Sequence, residues 1–332
     1  MTVEVVFVGA GEAARNHLAN MGKLNVAVKA VADIDYDKAR QLADELGATA
    51  YQDGIEMADA EKPHAAYVCI PPGEHGSLEI ELADMGIPFF IEKPIHLDID
   101  VAVQVSEMVR EKDLVTAVGY QARYSEAVQA AREYLSNRQL TLVQGFCIGG
   151  LPQKPWWRRK SLSGGQVVIS SHMFDLLRYL VGEVETVCAF GTTGAMVDVP
   201  DYTIEDATVA ALEFSDGAIG QVASACVLKG GGEPRIGLRF DGRGYTLRLD
   251  PQRLTVSDSC DRREDIFHGS PADDTAKADE AFIRAVATGD RSGIFCDYED
   301  AVRTLDLTLA VDESLMTREL TSPSRILLNA SH

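Results

Sequence analysis

The sequence predicts an α/β protein of two domains. Residues 1–122 form a doubly wound parallel sheet, and residues 123–332 an α+β domain with a largely antiparallel, open-faced sheet. In the first third of the chain, strand-like runs alternate with helical segments, which is typical of a parallel sheet covered on both faces. Further along, strand-like runs follow one another directly, which favours antiparallel pairing. The length of 332 residues allows about two domains of roughly 150 residues each.

Composition excludes several classes of protein. The formal net charge of −20 disfavours nucleic acid and anionic membranes as partners, although it also serves solubility alone. No apolar run reaches the length of about 18 residues that a transmembrane helix needs, and the start of the sequence, without a basic flank, leads us to expect no signal peptide. The cysteines lack CxxC or CxxH spacing, which predicts reduced, buried thiols in a cytoplasmic protein and no metal site. They are Cys69, Cys147, Cys188, Cys226, Cys260 and Cys296.

The elements of the first domain are defined by apolar runs and by the glycines that end helices. The predicted strands are apolar on consecutive positions, as strands covered on both faces should be. They span residues 3–8, 26–32, 65–70, 88–91 and 115–119. The predicted helices span residues 13–21, 36–46, 77–85 and 98–112, and Gly47 and Gly86 follow two of them.

A glycine-containing turn connects the first predicted strand to the first predicted helix. Gly9 permits a tight turn, Gly11 leaves room for a pyrophosphate, and Ala14 still allows the helix to pack closely on the strand. The N–H groups at the start of the helix favour phosphate binding. In this context the motif predicts a Rossmann dinucleotide-binding domain. The predicted contacts to the cofactor are Gly9, Ala10, Gly11, Glu12 and Ala13.

Asp33 ends the second predicted strand, where a carboxylate can accept hydrogen bonds from both hydroxyls of the adenosine ribose. The same charge repels a 2′-phosphate, and the next residue is Ile34 rather than arginine. The sequence therefore predicts NAD as the cofactor, with NADP disfavoured.

Three further stretches follow predicted strands at the edge of the sheet where ligands bind. In "CIPPGEHG" two prolines stiffen the loop, and Ile70, Pro71 and His75 are predicted to contact the cofactor. The alternative is an ordinary loop with a solvated histidine. In "IEKPI" Glu92 and Lys93 directly follow a buried strand, and the lysine is either a surface residue or a catalytic cation.

The third stretch, "GYQARY", contains Gln121 and Arg123. Gln121 is predicted to contact the cofactor. Arg123 is a candidate for substrate binding, with a plain surface charge as the alternative.

The second domain begins with a predicted helix over residues 126–135 and continues as a series of strands. These span residues 141–148, 184–190, 207–214, 218–227, 236–240 and 245–249. Ser215-Asp216-Gly217 and Asp241-Gly242-Arg243-Gly244 predict hairpin turns. Helices are predicted over residues 275–288 and 298–315, and a short strand with a loose end over the tail 322–332.

Residues 156–182 carry the candidate chemistry of the second domain. Ser170 and Ser171 are predicted to cap a helix that starts near His172. On that helix His172 and Asp175 share a face. The helix dipole disfavours the charged form of a histidine at a helix start, which suits a proton acceptor. The alternative is a structural, hydrogen-bonded histidine.

The same stretch contains the candidates for substrate binding. Trp156, Trp157 and Arg158 either stack on and pair with a substrate or lock a long loop to the core. Arg158, Arg159 and Lys160 form a basic cluster in an acidic chain. The cluster either favours an anionic substrate such as a sugar acid or belongs to a solvated loop.

Taken together, these motifs resemble the glucose–fructose oxidoreductase/inositol dehydrogenase (Gfo/Idh/MocA) family along the whole chain. The matching stretches, in order, are "VGAGEAARNH", "VADID", "CIPPGEH", "IEKP", "GYQARYS", "PWWRR", "SGGQ" and "HMFDLLRYLVG". The resemblance implies an NAD-dependent oxidoreductase acting on a hydroxyl of a sugar, inositol or related polyol. It also implies that the open sheet face makes a homodimer or homotetramer.

The resemblance also implies roles for individual residues. Lys93 and His172 match the family's catalytic lysine and histidine, with the lysine beside the nicotinamide and the reacting oxygen. Glu92 matches a residue near the nicotinamide ribose, and the peptide before Pro94 is often cis in the family. Asp175 matches a residue that orients the substrate or another side chain.

One position departs from the family. Many of its dehydrogenases carry an aspartate, the partner of the catalytic lysine, where this chain has Val168. Either another acid serves Lys93, with Asp175 the nearest candidate in sequence, or the chemistry is altered. Two alternatives to a dehydrogenase therefore stay open. One is an NAD-binding regulator or sensor without turnover, and the other is an NAD-using glycoside hydrolase of the same fold.

Overall fold

A computed structural model describes residues 2–251, 253–258, 263–267 and 270–323, with only the backbone described over 263–267. The chain divides into two compact units. The first contains Met1–Tyr124 and Pro271–Val302, and the second contains Ser125–Ser270 and Arg303–His332. The segment 271–302 thus belongs to the first unit, although the sequence boundary at residue 122 places it in the second domain.

Six parallel strands form the sheet of the first unit. They are β1 (Val3–Val8), β2 (Val26–Ala32), β3 (Thr49–Tyr51), β4 (Ala65–Val68), β5 (Phe89–Ile91) and β6 (Thr116–Val118), in the order β3-β2-β1-β4-β5-β6. Every residue of β4, β5 and β6 is buried, as expected for strands covered on both faces. The doubly wound parallel sheet predicted from the sequence is confirmed.

Helices connect these strands. They are α1 (Glu12–Met21), α2 (Tyr36–Leu46), α3 (Gly54–Glu61), α4 (Ser77–Asp84) and α5 (Ile99–Glu111). The sequence analysis missed β3 and α3. The strand has only three residues, so a strand period cannot be read from it. The helix has a recognisable start, because the side chain of Asp53 accepts hydrogen bonds from the N–H groups of Ile55 and Glu56.

The strand order reverses between β1 and β4, and ligands bind outside the carboxyl ends of the strands at such a point. The segments that follow β1, β4, β5 and β6 therefore meet at one crevice. These are the glycine turn, the "CIPPGEHG" loop, the "IEKPI" segment and the "GYQARY" segment.

A helix from late in the chain, Pro271–Thr288, completes the core of the first unit. Its Phe282 is fully buried and meets the rings of Tyr67 and Phe90 edge-on, at centroid distances of 5.6 and 5.8 Å. Burying a phenylalanine side chain is worth about 1.5–3 kcal/mol. This packing explains why the helix belongs to the first unit.

The second unit contains an eight-stranded mixed sheet. Its strands are β7 (Leu140–Ile148), β8 (Val184–Thr192), β9 (Ala207–Phe214), β10 (Ile219–Ala225), β11 (Arg235–Gly242), β12 (Tyr245–Asp250), β13 (Arg253–Asp258) and β14 (Arg263–Phe267). The order is β14-β13-β12-β11-β7-β10-β9-β8, and all neighbours are antiparallel except β7 and β10. Both predicted hairpins are confirmed, linking β9 to β10 and β11 to β12. The analysis missed β13 and β14.

Four described helices lie wholly within the second unit, and the first, third and fourth of them contact its sheet. They are α6 (Glu126–Leu135), α7 (Lys160–Ser163), α8 (Gln166–Ile169) and α9 (Ser171–Leu180). The remaining helices of the chain are α10 (Pro271–Thr288), described above, and α11 (Tyr298–Thr317). Along β9 the buried residues alternate with exposed ones, so the sheet has one covered face.

On the other face, apolar side chains from neighbouring strands lie side by side. Phe190 pairs with Val209, and Val209 pairs with Ala223 of β10. Phe190 and Val209 are 56% and 45% exposed. This is the open face that the sequence predicted.

Some predictions concern residues outside the described ranges. The tail prediction falls mostly on residues 324–332, and Cys260 is likewise outside. Thr321, within the described part, pairs with Val187 in an isolated bridge. The five described cysteines are free thiols, of which Cys226 and Cys296 are buried and the others half-buried. No helix in the described ranges is long and apolar enough to cross a bilayer.

Candidate active site

The two glycines of the first turn are needed for different reasons. Gly9 has a φ of 94°, and a Cβ atom there would lie 2.4 Å from the carbonyl oxygen of Cys69, so only glycine fits. Gly11 has an ordinary φ of −80°, and a Cβ atom there would meet no described atom within 4 Å. Gly9 therefore permits the close approach of two backbones, whereas Gly11 borders open space at the start of α1.

Asp33 holds this turn in place. Its Oδ2 accepts a hydrogen bond from the N–H of Ala10, and its Oδ1 accepts one from the N–H of Asp35, both at 2.9 Å. Each carboxylate oxygen keeps capacity for a further donor, such as a ribose hydroxyl. Ile34 beside it is 87% exposed and carries no charge for a 2′-phosphate.

The loop after β4 places His75 inside the protein rather than in solvent. His75 is 5% exposed, and its Nδ1 lies 2.7 Å from Oε1 of the buried Glu79. The other oxygen of Glu79 accepts a hydrogen bond from the N–H of Gly76. This arrangement fixes the orientation of the His75 ring. Ile70 and Pro71, on the same loop, are half-buried and exposed respectively.

Glu92 and Lys93 directly follow β5, and the Lys93–Pro94 peptide is cis. Burial opposes ionisation of Glu92, but a hydrogen bond from His17 and the charges of His17 and Lys93 outweigh it, so the pKa of Glu92 is lowered. Glu92 is therefore an anion at neutral pH, close to the Lys93 cation.

His17, the last residue of the "VGAGEAARNH" stretch, is a functional candidate that the sequence analysis missed. It is 1% exposed, with Nε2 3.1 Å from Oε1 of Glu92 and Nδ1 2.6 Å from Oδ1 of Asp279 on α10. Burial disfavours its charged form, but the two carboxylates outweigh burial and raise the pKa of His17 to about 10. The sequence did contain a signal for it, because His17 falls on the buried side of the first helix of the Rossmann unit.

After β6, Gln121 and Arg123 differ in their surroundings. The Oε1 atom of Gln121 is buried and has no hydrogen-bond partner within the described ranges. Arg123 is 3% exposed, donates a 2.6 Å hydrogen bond to the carbonyl of Phe295 and pairs with the carboxylate of Asp300. Its guanidinium is therefore engaged inside the first unit.

In the second unit, His172 is the second residue of α9 and is half-buried. The predicted serine cap is wrong, since no side-chain cap is present at Ser170. The Ser170 hydroxyl donates instead to the carbonyls of Gln166 and Val167, because α8 ends in the preceding turn and supplies acceptors there. Val168 on α8 is 3% exposed.

Asp175 lies in a chain of buried hydrogen bonds within the second unit. It is fully buried, and its Oδ1 accepts a hydrogen bond from the hydroxyl of Thr304 at 3.2 Å. The same hydroxyl accepts a 2.7 Å hydrogen bond from Arg178, which also pairs with Glu183. Asp175 thus helps to anchor the helix that carries His172.

The three side chains of the basic cluster in the second unit are paired with neighbouring carbonyl and carboxylate groups. Arg158 donates to the carbonyls of Pro152 and Gln153, at 2.8 and 3.2 Å. Arg159 pairs with Asp201 at 2.7 Å. Lys160 pairs with Glu205 at 2.6 Å and with Asp312 at 2.7 Å. These contacts hold the loop in place.

The two tryptophans of the same loop lie against each other. Trp156 and Trp157 stack with ring centroids 4.3 Å apart, and both are half-buried. Each ring therefore keeps part of its surface exposed.

The first unit has the features of a dinucleotide site. Open space at Gly11 adjoins the N–H groups at the start of α1, Asp33 stands just after the end of β2, and Gln121 offers a buried acceptor without a partner in the described ranges after β6. An anionic pyrophosphate, a ribose and an amide donor fit these three places. The fold and the site together define a Rossmann protein with an NAD site.

The chain belongs to the Gfo/Idh/MocA family. Residues 3–120 match the family model described as "Oxidoreductase family, NAD-binding Rossmann fold", and residues 103–244 match the "GFO/IDH/MocA C-terminal domain". The family, the fold class and NAD as the cofactor, all predicted from the sequence, are confirmed.

Two relatives illustrate the range of similarity. "Uncharacterized protein UNK4.17" of Schizosaccharomyces pombe is 30% identical over 298 residues, which cover 80% of this chain and 73% of that protein. "Myo-inositol 2-dehydrogenase" of Thermotoga maritima is 25% identical over 319 residues, covering 93% of this chain and 95% of that protein.

Solved structures share the fold along the whole chain. A levoglucosan dehydrogenase in complex with NADH and levoglucosan has a TM-score of 0.88 at 18% identity, covering 98% of this chain and 100% of that one. An oxidoreductase from Agrobacterium radiobacter in complex with NAD+, L-tartaric acid and magnesium has a TM-score of 0.87 at 18% identity, with the same coverage.

Proposed function

We propose that the protein is an NAD-dependent dehydrogenase that acts on a hydroxyl of a neutral sugar, inositol or related polyol. The observation that carries this proposal is the set of groups at the crevice of the first unit, where Glu92 is held as an anion beside Lys93. Relatives named as inositol dehydrogenases support the substrate class.

The residues of the crevice would hold the cofactor as follows. The N–H groups at the start of α1 bind the pyrophosphate over Gly11, and Asp33 accepts hydrogen bonds from the adenosine ribose. The remaining contacts come from Ala10, Glu12, Ala13, Ile70, Pro71, His75, Glu92, Lys93 and Gln121. When bound, the nicotinamide supplies the hydride chemistry, and the protein supplies orientation and charge.

Lys93 and His172 are the proposed catalytic residues. Lys93 stabilises the negative charge that develops on the substrate oxygen. His172, at the start of α9, accepts the hydroxyl proton during oxidation and returns it during reduction. Glu92, ionised under the charge of His17, interacts electrostatically with Lys93 and is the proposed group that orients it. Under this proposal Lys93 does not require a carboxylate at position 168, where this chain has a valine.

A neutral substrate is favoured over an anionic one by the contacts of the basic cluster. Arg159 and Lys160 form ion pairs with carboxylates, and Arg158 donates hydrogen bonds to backbone carbonyls. Trp157 is the proposed stacking surface for a sugar ring, because aromatic faces pack well on the C–H faces of sugars. The buried contacts of Arg123 and Asp175 favour roles in holding the segments around the site.

A second candidate is an NAD-binding regulator or sensor without turnover. Val168, an apolar residue at the family's carboxylate position, favours it. An NAD-using glycoside hydrolase of the same fold is the third outcome to be tested.

Two measurements discriminate these functions. NADH absorbance is followed while the protein is offered NAD with a panel of inositols, hexoses and anhydrosugars, and NADH affinity is measured by fluorescence. Continuous NADH formation with one substrate is expected. Tight NADH binding with no turnover across the panel would favour the sensor, and product without net NADH would favour the hydrolase.

We further propose that the protein works in the cytoplasm as a homodimer or homotetramer. The five described free thiols support a reducing compartment. The apolar open face of the second unit's sheet supports self-association, because isolated chains rarely expose contiguous apolar patches of this kind.

A further inference from the structure

A buried polar cluster connects the proposed cofactor crevice to a helix from late in the chain. His17 lies at its centre, between Glu92 after β5 and Asp279 on α10. The second oxygen of Asp279 accepts a 2.8 Å hydrogen bond from the side chain of Asn20. His17 and Asp279 are 1% and 0% exposed. Buried polar groups are costly unless paired, so this cluster is fixed by mutual hydrogen bonding.

Glu92 is held on two sides. His17 donates to its Oε1, and a Cβ atom at Gly119 would lie 2.9 Å from both carboxylate oxygens. Any residue other than glycine at position 119 would displace the carboxylate. The Glu92 side chain is 22% exposed, so it still reaches the crevice. The position of this carboxylate is therefore set by His17 and by the backbone of residue 119.

The charge of His17 follows from the groups that face it. Asp279 and Glu92 are within hydrogen-bond distance of its two ring nitrogens. The Tyr67 ring lies 5.2 Å from the imidazole and the Phe90 ring 4.7 Å from it, and these two rings stack on each other. Cys69 interacts electrostatically with both carboxylates, and Lys93 with Glu92. Both ring nitrogens act as donors only when the histidine is protonated.

We propose that His17 is a positioning residue. Held as an imidazolium by Asp279, it fixes the Glu92 carboxylate at the crevice and through it the charge and orientation of Lys93. The inference rests on the proposed function insofar as Glu92 and Lys93 serve a bound nicotinamide. The charge state of His17 can be measured without any cofactor. A merely structural cluster would affect the stability of the fold and leave NADH affinity unchanged.

The test uses Asp279→Asn in the full-length protein, with Glu280→Gln as the matched control on the exposed side of the same helix. The ring nitrogens of His17 are observed by NMR during pH titration without cofactor. In the wild type we expect an imidazolium through neutral pH that titrates near 10. In Asp279→Asn one of the two carboxylates is lost, so the titration should move towards neutral pH.

NADH affinity is measured over the same pH range. The wild-type dissociation constant should stay constant from about pH 6 to about pH 9 and rise as His17 deprotonates at higher pH. In Asp279→Asn the rise should begin near neutral pH and reach about tenfold by pH 9. His17→Gln, which cannot titrate, should bind NADH about tenfold more weakly without this pH dependence. Glu280→Gln should match the wild type.

The experiments distinguish failure of the proposed role of His17 from failure of the proposed function. A neutral His17 at pH 7 in the wild-type NMR titration would overturn the proposal, even if no variant folds. Wild-type NADH affinity at every pH in folded Asp279→Asn and His17→Gln would overturn it as well. A wild-type protein that binds no NADH would instead refute the proposed function, while the NMR titration would still report the charge of His17.

Discussion

The immediate surroundings of single residues explain several features of this protein. Gly9 is required by a carbonyl oxygen that leaves no room for a Cβ atom, whereas Gly11 borders open space. In the proposed mechanism Lys93 and His172 would supply the two groups that alcohol oxidation requires, a cation and a base.

Replacing Lys93 or His172 with alanine should lower turnover by roughly 10² to 10⁴, because each acts on the charge that develops in the transition state. NADH affinity should change little in His172→Ala, which alters the second unit alone. The measurement is steady-state kinetics with the substrate found in the panel, and the exposed Lys23→Ala serves as the control. Wild-type turnover in both alanine variants would refute the catalytic assignment.

Asp33 and Ile34 should make NAD(H) bind at least about tenfold more tightly than NADP(H), a difference of about 1.4 kcal/mol. The Asp33 carboxylate repels a 2′-phosphate, and the exposed Ile34 offers it no cation. Combining Asp33→Ser with Ile34→Arg should narrow or reverse this preference. Titration calorimetry with both cofactors measures it, and equal affinities in the native protein would contradict the interpretation.

At the scale of elements, α8 and α9 together determine what surrounds His172. Their junction is continuous rather than capped by serine, because the hydroxyl of Ser170 bonds back to carbonyls of α8. Ion pairs of Lys160 with Glu205 and Asp312 fix the preceding loop, and Glu205 also accepts a hydrogen bond from the N–H of Gln166. The family's carboxylate position therefore falls within a tightly held, apolar helix turn.

Introducing that carboxylate with Val168→Asp should destabilise the protein without raising turnover. Val168 is 3% exposed, and a buried charge without a designed partner costs about 3–5 kcal/mol. On the proposal that Glu92 serves Lys93, the new acid should add no catalytic benefit. Thermal unfolding and kinetics check both parts, with Val168→Thr as a control of similar shape. A clear gain in dehydrogenation would show instead that Val168 marks a lost activity.

In the molecule as a whole, the open face of the eight-stranded sheet exposes apolar side chains, and a single chain gives no reason for this exposure. The paired strands align Phe190, Val209 and Ala223 in one row, and Ile219 next to Leu142 in another. Apolar rows on a solvated sheet are costly unless another surface covers them.

We therefore expect light scattering at micromolar concentration to give a mass at least twice that of one chain. Phe190→Asp should shift the protein towards the monomer, because it places a charge in the centre of the apolar row. Val197→Asp, at an 85% exposed position outside the sheet, is the matched control and should leave the mass unchanged. A monomeric wild-type protein would contradict the assembly proposal.

Much of the candidate site could be predicted because its parts are local in sequence. The glycine turn, Asp33, the "IEKP" segment and Gln121 each follow a strand whose end can be read from its own residues. The roles of Arg123 and the basic cluster could not be read in this way. Their carboxylate partners Asp300, Asp201 and Asp312 lie far along the chain, and nothing in the local pattern indicates the pairing.

The sequence by itself determined most of the strands and helices, two hairpins, the doubly wound sheet and the family. These depend on periodicity, turn residues and motifs that act over a few neighbouring positions. Tertiary structure alone decided that α10 joins the first unit and that His17 meets Asp279, a residue 262 positions away. The physical reason is that the charge of a buried group depends on which carboxylates surround it, and only packing brings them together.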